Sequence, residues 1–292
     1  MGIPVFTLSN GMEIPCVGFG TSTHVPADKF EKSIEDAIDA GYRYIDTASF
    51  YETERAVGRA VRESGIDRSQ IQIATKVWYE ETGYQGTKDA IERSLERLNL
   101  DYIDIYLIHW PKRSNDDPDW KENAVETWKA MEEYYHKGLI KALGLSNFLP
   151  HHLDVILENC EIKPVVDQLE LHLGYTQEYA ASYAKEKSVQ PQAWSPIGRA
   201  KEGFTTSIIT GKMAEKYGVS RQKLGLKYLV SRGYMVLPCS TDKEHMKDNL
   251  NLFDFEISKE DMSILSCMPQ EGWLGEHPDF YMPITKHVNL NQ

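Results

Sequence analysis

Three ionisable side chains stand at the ends of three successive apolar runs. Asp46 closes Tyr44-Ile45-Asp46-Thr47, Lys76 lies in Ala74-Thr75-Lys76-Val77-Trp78, and His109 follows Leu107-Ile108. Tyr51 sits just beyond the first of these runs. A lysine within an apolar strand is costly unless its charge is paired, and Asp46 on the neighbouring strand could supply the pair. A phenol, an imidazole and a paired ammonium group can pass a proton to or from a reacting oxygen. Each residue alone reads equally well as structure: a buried ion pair, a capping Asp, a satisfied core histidine. Placed together at one end of adjacent strands, they read as a site.

The elements that must hold them alternate along the chain. Short, β-branched-rich runs predict strands over Val17–Gly20, Tyr44–Thr47, Ile71–Val77, Ile103–His109, Ile140–Ser146, Val165–Leu171, Gln190–Ser195 and Met235–Ser240. Between them, apolar residues recur at helical spacing: Phe30, Ile34, Ala37 and Ile38 are one set, and Val125, Trp128, Met131 and Tyr135 another. Gly41, Gly138 and Gly233 each follow a helical run, where a left-handed cap is expected, and Ser220 is an N-cap candidate. Asn10-Gly11 between two alternating runs predicts an N-terminal β-hairpin. Eight strand–helix units without a break in composition predict one (β/α)8 TIM barrel domain over residues 1–292, ending after Met268 in an irregular arm. An open doubly wound sheet is disfavoured, because Gly18-Phe19-Gly20 does not complete a dinucleotide fingerprint. In a barrel the C-terminal strand ends carry the active site, which is where the four residues fall.

Bulk properties narrow the function. A net charge of -12 argues against nucleic-acid partners. The scattered residues Cys16, Cys160, Cys239 and Cys267 show no metal spacing and fit reduced thiols in a cytoplasmic protein. His151-His152 lacks the spacing of a zinc helix and reads as a solvated pair, so no metal is expected. No run is long enough to cross a bilayer, no signal peptide is evident, and a monomer is the default.

Seven segments in order, DTASFYETE, ATKVW, LIHWP, GLSNF, VVDQLELH, AWSPIG and FDFEIS (Phe253–Ser258), give the sequence a specific resemblance. It resembles the aldo-keto reductase superfamily, and within it the bacterial and plant diketogluconate and aldehyde reductase type, over nearly the whole chain. The resemblance implies NAD(P)H-dependent interconversion of a small-molecule carbonyl and an alcohol. It makes Tyr51 the proton donor, with Lys76 lowering the phenol's pKa, Asp46 holding Lys76, and His109 orienting the carbonyl oxygen. It assigns Ser146, Asn147 and Gln168 to the nicotinamide carboxamide and Trp194 to its ring. Ser195, Pro196 and Ile197, with the Gly198–Thr206 loop, match the pyrophosphate clamp, Gly20, Thr21 and Asp46 lie near the ribose, and Asp248 and Asn249 near the adenine.

The departures from the family pattern concern cofactor and substrate. Cys239 and His245 stand where a Lys and an Arg usually grip the 2′-phosphate of NADPH, with Ser240, Thr241 and Asp242 between them. Losing both cations predicts dual or NADH-leaning use, unless Lys243 or Lys247 substitutes. Ser22 replaces a pocket Trp common in the family, leaving Trp78, Trp110, Trp273, Phe280 and Tyr281 as candidate aromatic walls. Thr53 replaces an Asn with no evident consequence. Three alternatives stay open: a lyase using Lys76 as a Schiff-base nucleophile, a slow cofactor-binding redox sensor, and a purely structural scaffold, which would make the ordered motifs a coincidence.

Overall fold

The computed structural model describes residues 3–22, 27–201, 204 and 206–280. A hairpin of β1 (Val5–Thr7) and β2 (Glu13–Pro15) leads the chain. Then come β3 (Phe19–Gly20), α1 (Ala27–Ala40), β4 (Tyr44–Asp46), α2 (Glu54–Glu63), β5 (Gln72–Val77), α3 (Tyr84–Leu98), β6 (Ile103–Ile108) and α4 (Trp120–His136). The second half holds β7 (Ile140–Ser146), α5 (Pro150–Asn159), β8 (Val166–Glu170), α6 (Glu178–Glu186), β9 (Gln190–Trp194), α7 (Ile208–Tyr217) and α8 (Arg221–Ser231). It ends with β10 (Met235–Val236), α9 (Lys243–Leu250) and α10 (Lys259–Ser266).

Strands β3 to β10 form one parallel sheet in sequence order. The sheet closes on itself. Val17 bridges Val236 in parallel, and the amides of Gly18, Gly20 and Val236 donate to Val236, Pro238 and Cys16 carbonyls respectively. Gly20 must be glycine here, since a Cβ would lie 2.9 Å from the Leu237 carbonyl oxygen. The result is the expected (β/α)8 barrel.

Two apolar layers follow from strands buried on both faces. Inside the barrel, Tyr44, Ala74, Ile105, Leu107, Ala142, Val166 and Met235 pack with Leu8 and Ile14 of the hairpin segment. The hairpin is therefore a plug, and it brings the whole interior into one core. Outside, helix residues such as Phe30, Ile34, Trp128, Met131 and Leu224 cover the other strand faces. Ser220 caps α8 through the Lys223 amide, and Gly41, Gly138 and Gly233 have positive φ as expected.

The first and last strands are shorter than the sequence predicts. Pro238 has no amide hydrogen to extend the last ladder, and closure runs through single bonds at the seam rather than through long pairing. His152 corrects a second expectation: it is buried, not solvated. Its Nδ1 accepts the Leu149 amide at 3.2 Å, and its Nε2 faces Asp279 Oδ1 at 3.1 Å. Together with His151 this gathers three groups within metal-ligating distance of one another. An Nδ1 that accepts from the backbone leaves the proton on Nε2, so hydrogen bonding to Asp279, not coordination, uses that atom. Lys112 Nζ, 3.5 Å from the same carboxylate, adds a cationic partner. Asp279 is thus the pin that holds the C-terminal arm to α5. Tyr281, expected as an aromatic wall, lies outside the described residues.

Candidate active site

The C-terminal ends of β4, β5 and β6 deliver Asp46, Lys76 and His109 to one spot. Lys76 is fully buried. Its Nζ donates to Asp46 Oδ1 at 2.5 Å and to the Thr47 carbonyl at 2.9 Å. Tyr51, in the turn after β4, sets its hydroxyl 3.3 Å from His109 Nε2. The Lys76 ammonium lies 5.0 Å from the centre of the Tyr51 ring. Burial and the Lys76 charge push His109 well below the usual imidazole range, so it is neutral and able to hydrogen-bond without carrying charge.

One electrostatic expectation is corrected. Lys76 was expected to bring the Tyr51 phenol down, and the net direction in this structure is up. Burial, then the charges of Asp46 and Glu276, push it well above its ordinary value. Lys76 itself is pulled down by burial, with Asp46 opposing.

These groups open into a cavity of about 420 Å³. Its wall includes the predicted residues Gly20, Thr21, Ser22, Asp46, Tyr51, Trp78, His109, Trp110, Ser146, Asn147 and Gln168, and further round Trp194, Ser195, Pro196, Ile197 and Cys239. On one side a polar ledge forms. Trp194 Nε1 donates to Asn147 Oδ1 at 2.9 Å, Asn147 Nδ2 donates to the His109 carbonyl at 3.0 Å, and Gln168 Nε2 donates to Asp46 Oδ2 at 3.0 Å. Asn147 and Ser195 both have positive φ, which turns their side chains across the strand ends. On the other side Phe50 stacks on Trp78 at 4.0 Å.

Some predicted residues lie elsewhere. Trp273 is 40% exposed and donates to the Glu276 carbonyl, outside the cavity wall. Ser240, Thr241, His245, Asp248 and Asn249 lie beyond the cavity at the start and body of α9, and Gly198 sits behind it against His172 and Phe204. The structure adds Phe50, Leu237 and Glu276 to the wall, and Arg199 and Ala200 of the clamp loop also line it. Phe50 could have been found as the aromatic beside Tyr51. Glu276 carried no signal, because a lone acid in an irregular arm has no period. Thr53 also gains a role: its hydroxyl joins Thr21 at 3.0 Å and Thr47 at 2.7 Å, tying the ends of β3 and β4 together.

Asp167, next to Gln168, is buried. Oδ1 accepts only the Phe148 amide at 3.4 Å, and Oδ2 has no partner among the described residues. Burial pushes the carboxyl well above its usual range. A carboxyl raised in the fold stabilises below its unfolded value of about 3.9 and loses that contribution as pH rises. Asp167→Asn keeps the shape without the charge. Its melting temperature is expected to exceed the parent's by a few degrees at pH 8, with the gap closing toward pH 4 in parallel thermal melts. An equal gap at both pH values would contradict the assignment.

Residues 16–267 match the model of the Aldo/keto reductase family. The chain is 38% identical over 272 residues to glyoxal reductase from Bacillus subtilis, covering 93% of this chain and 95% of that protein. It is 37% identical over 278 residues to 9,11-endoperoxide prostaglandin H2 reductase from Trypanosoma cruzi, covering 95% of each. The Bombyx mori aldo-keto reductase solved in complex with NADP superposes with a TM-score of 0.85 at 31% identity, over 92% of this chain and 94% of that one. The chain belongs to the aldo/keto reductase family. Its activity is that of an NAD(P)H-dependent oxidoreductase acting on carbonyls.

Proposed function

We propose that the chain reduces small aldehydes and ketones, α-oxo aldehydes among them, with Tyr51 as proton donor and with NADH accepted at least as well as NADPH. The observation that carries the catalytic part is the contact of Tyr51 with a neutral His109 above a buried Asp46–Lys76 pair. The cavity residues fit a nicotinamide. The ledge of Ser146, Asn147 and Gln168 offers amide and hydroxyl groups of the kind that pair with a carboxamide, and the Trp194 indole supplies a flat face beside it. When bound, the cofactor supplies the hydride. His109 Nε2 and the Tyr51 hydroxyl would together hold the carbonyl oxygen, and Tyr51 would donate the proton as charge builds there. Trp78, Phe50 and Trp110 exclude water from that oxygen's surroundings. The names of the glyoxal and prostaglandin relatives support the α-oxo aldehyde class and a pocket tolerant of larger carbonyls. Ser22 leaves that pocket wide.

The cofactor preference rests on the loop after β10. Burial pushes the Cys239 thiol up to about 11, so it carries no charge. Asp242 caps α9, with Oδ1 accepting the Glu244 amide at 2.8 Å and the His245 amide at 3.0 Å. A carboxylate therefore already holds the backbone donors that a 2′-phosphate would use at this helix start. Of the replacement cations, Lys243 pairs with Asp36 and Lys247 with Glu244. The test is side-by-side oxidation of NADH and NADPH with methylglyoxal. We expect a KM for NADH no higher than that for NADPH, and Cys239→Lys with His245→Arg to lower the NADPH KM by about tenfold or more. A wild-type enzyme that strongly prefers NADPH would overturn the preference and leave the reductase standing. Absence of turnover with both would overturn the substrate class.

A further inference from the structure

Two charged residues stand on the cavity wall: Arg199, which the reading above includes only as part of the clamp loop, and Glu276, which has no part in it. Arg199 belongs to the turn after β9, and Glu276 to the C-terminal arm, and Nη2 meets Oε1 across the cavity at 3.3 Å. The contact joins the segment that follows the nicotinamide ledge to the segment that covers the substrate side.

Arg199 is held in an unusual way. It has φ 51 and ψ 25, and Ala200 after it has φ 50. Two successive non-glycine residues in the left-handed region persist only where neighbouring bonds over-determine them. Here the Gly198 amide donates to Ser195, Ala200 to Ile197 and Lys201 to Gly198. The side chain is thereby set over the cleft, its guanidinium 5.7 Å from the centre of the Trp194 ring. Nε is buried and has no partner among the described residues. A guanidinium offers a planar fork suited to two oxygens, and one long contact to one carboxylate oxygen leaves that fork under-used.

Glu276 is held on a tethered arm. Upstream, the Leu274 amide donates to Glu170 Oε1 at 3.0 Å; downstream, Asp279 is pinned to α5. Its carboxylate can release Arg199 without unseating the arm. The charges of both residues bear on Tyr51, in opposite senses.

We propose that Glu276 is a built-in competitor for the anionic part of the cofactor: it neutralises Arg199 until the cofactor's pyrophosphate takes its place. The inference rests on the cavity being the cofactor cleft. It makes the arm and the cofactor share one guanidinium, so that cofactor affinity is set partly by a residue of the substrate-side arm. No bond is made or broken; one ion pair exchanges for another.

The experiment is equilibrium binding of NADH and of NADPH, read by quenching of tryptophan fluorescence, in wild type, Glu276→Gln, Arg199→Ala and the double variant. Glu276→Gln is expected to tighten both cofactors by about threefold to tenfold, because the competitor is gone. Arg199→Ala is expected to weaken both, and in that background Glu276→Gln should change affinity by less than about twofold. Arg199→Lys serves if the alanine variant does not fold, and should weaken both cofactors less. Unchanged or weaker binding in Glu276→Gln, with wild type binding normally, overturns the competition alone. Tightening that survives intact in the Arg199→Ala background also overturns it, since the carboxylate would then act by direct repulsion. A wild type that binds neither cofactor overturns the reading of the cleft itself.

Discussion

Tyr51→Phe is expected to lower kcat for carbonyl reduction by about 10²- to 10⁴-fold, the usual worth of a positioned acid, with cofactor affinity changed by less than about twofold. Among the described residues the hydroxyl hydrogen-bonds to His109 Nε2 alone, so its removal leaves no buried charge and little strain. The ring, under the Lys76 ammonium at 5.0 Å, remains to fill its place. Steady-state kinetics with methylglyoxal beside fluorescence titration of the cofactor measure the two quantities. Near-normal turnover would remove Tyr51 from the proton step. The raised phenol also has a directional consequence. Burial and Asp46 keep Tyr51 in its acid form through neutral pH, which suits reduction, where a proton is given. Alcohol oxidation needs the phenolate, so its rate should rise as pH increases above neutrality.

The second large effect is on stability as well as rate. Lys76 and Asp46 are both buried and bonded at 2.5 Å, and Gln168 satisfies the other Asp46 oxygen at 3.0 Å. Lys76→Met fills the same volume but leaves a buried carboxylate without its cation. Breaking such a pair costs about 3–5 kcal/mol, which urea unfolding should show as a lowered midpoint with an unchanged slope. Adding Asp46→Asn removes the stranded charge, and the double variant should regain most of the stability. It should not regain turnover. Recovery of both would make the pair purely structural. Loss of turnover without loss of stability in Lys76→Met would mean that the lysine charge is not what Asp46 requires.

Much of this molecule is written in local pattern. Alternating apolar runs and helical periods mark the strands and helices, and strand-end positions mark Asp46, Lys76 and His109 as neighbours, because a parallel barrel brings successive strand ends side by side. The hairpin follows from Asn10-Gly11, and the cap of α8 from Ser220. Ser146, Gln168 and Trp194 were named by the family resemblance rather than by strand position, and all three line the cavity.

What local pattern cannot carry is the balance of fields and the reach of irregular chain. Lys76 was expected to lower the Tyr51 phenol, yet the structure raises it, since desolvation and the competing Asp46 charge depend on packing in three dimensions. The burial of His152 and the outward turn of Trp273 were not legible in the sequence, because the arm after Met268 has no period to say which side faces the barrel. The Arg199–Glu276 contact joins two such irregular segments. The sequence by itself determined the barrel, the set of groups at its mouth and the family they belong to, because repeating backbone geometry converts residue spacing into position. Only the tertiary structure decided which charges meet, which are buried and which way the arm lies, because those depend on distances between segments that no sequence spacing encodes.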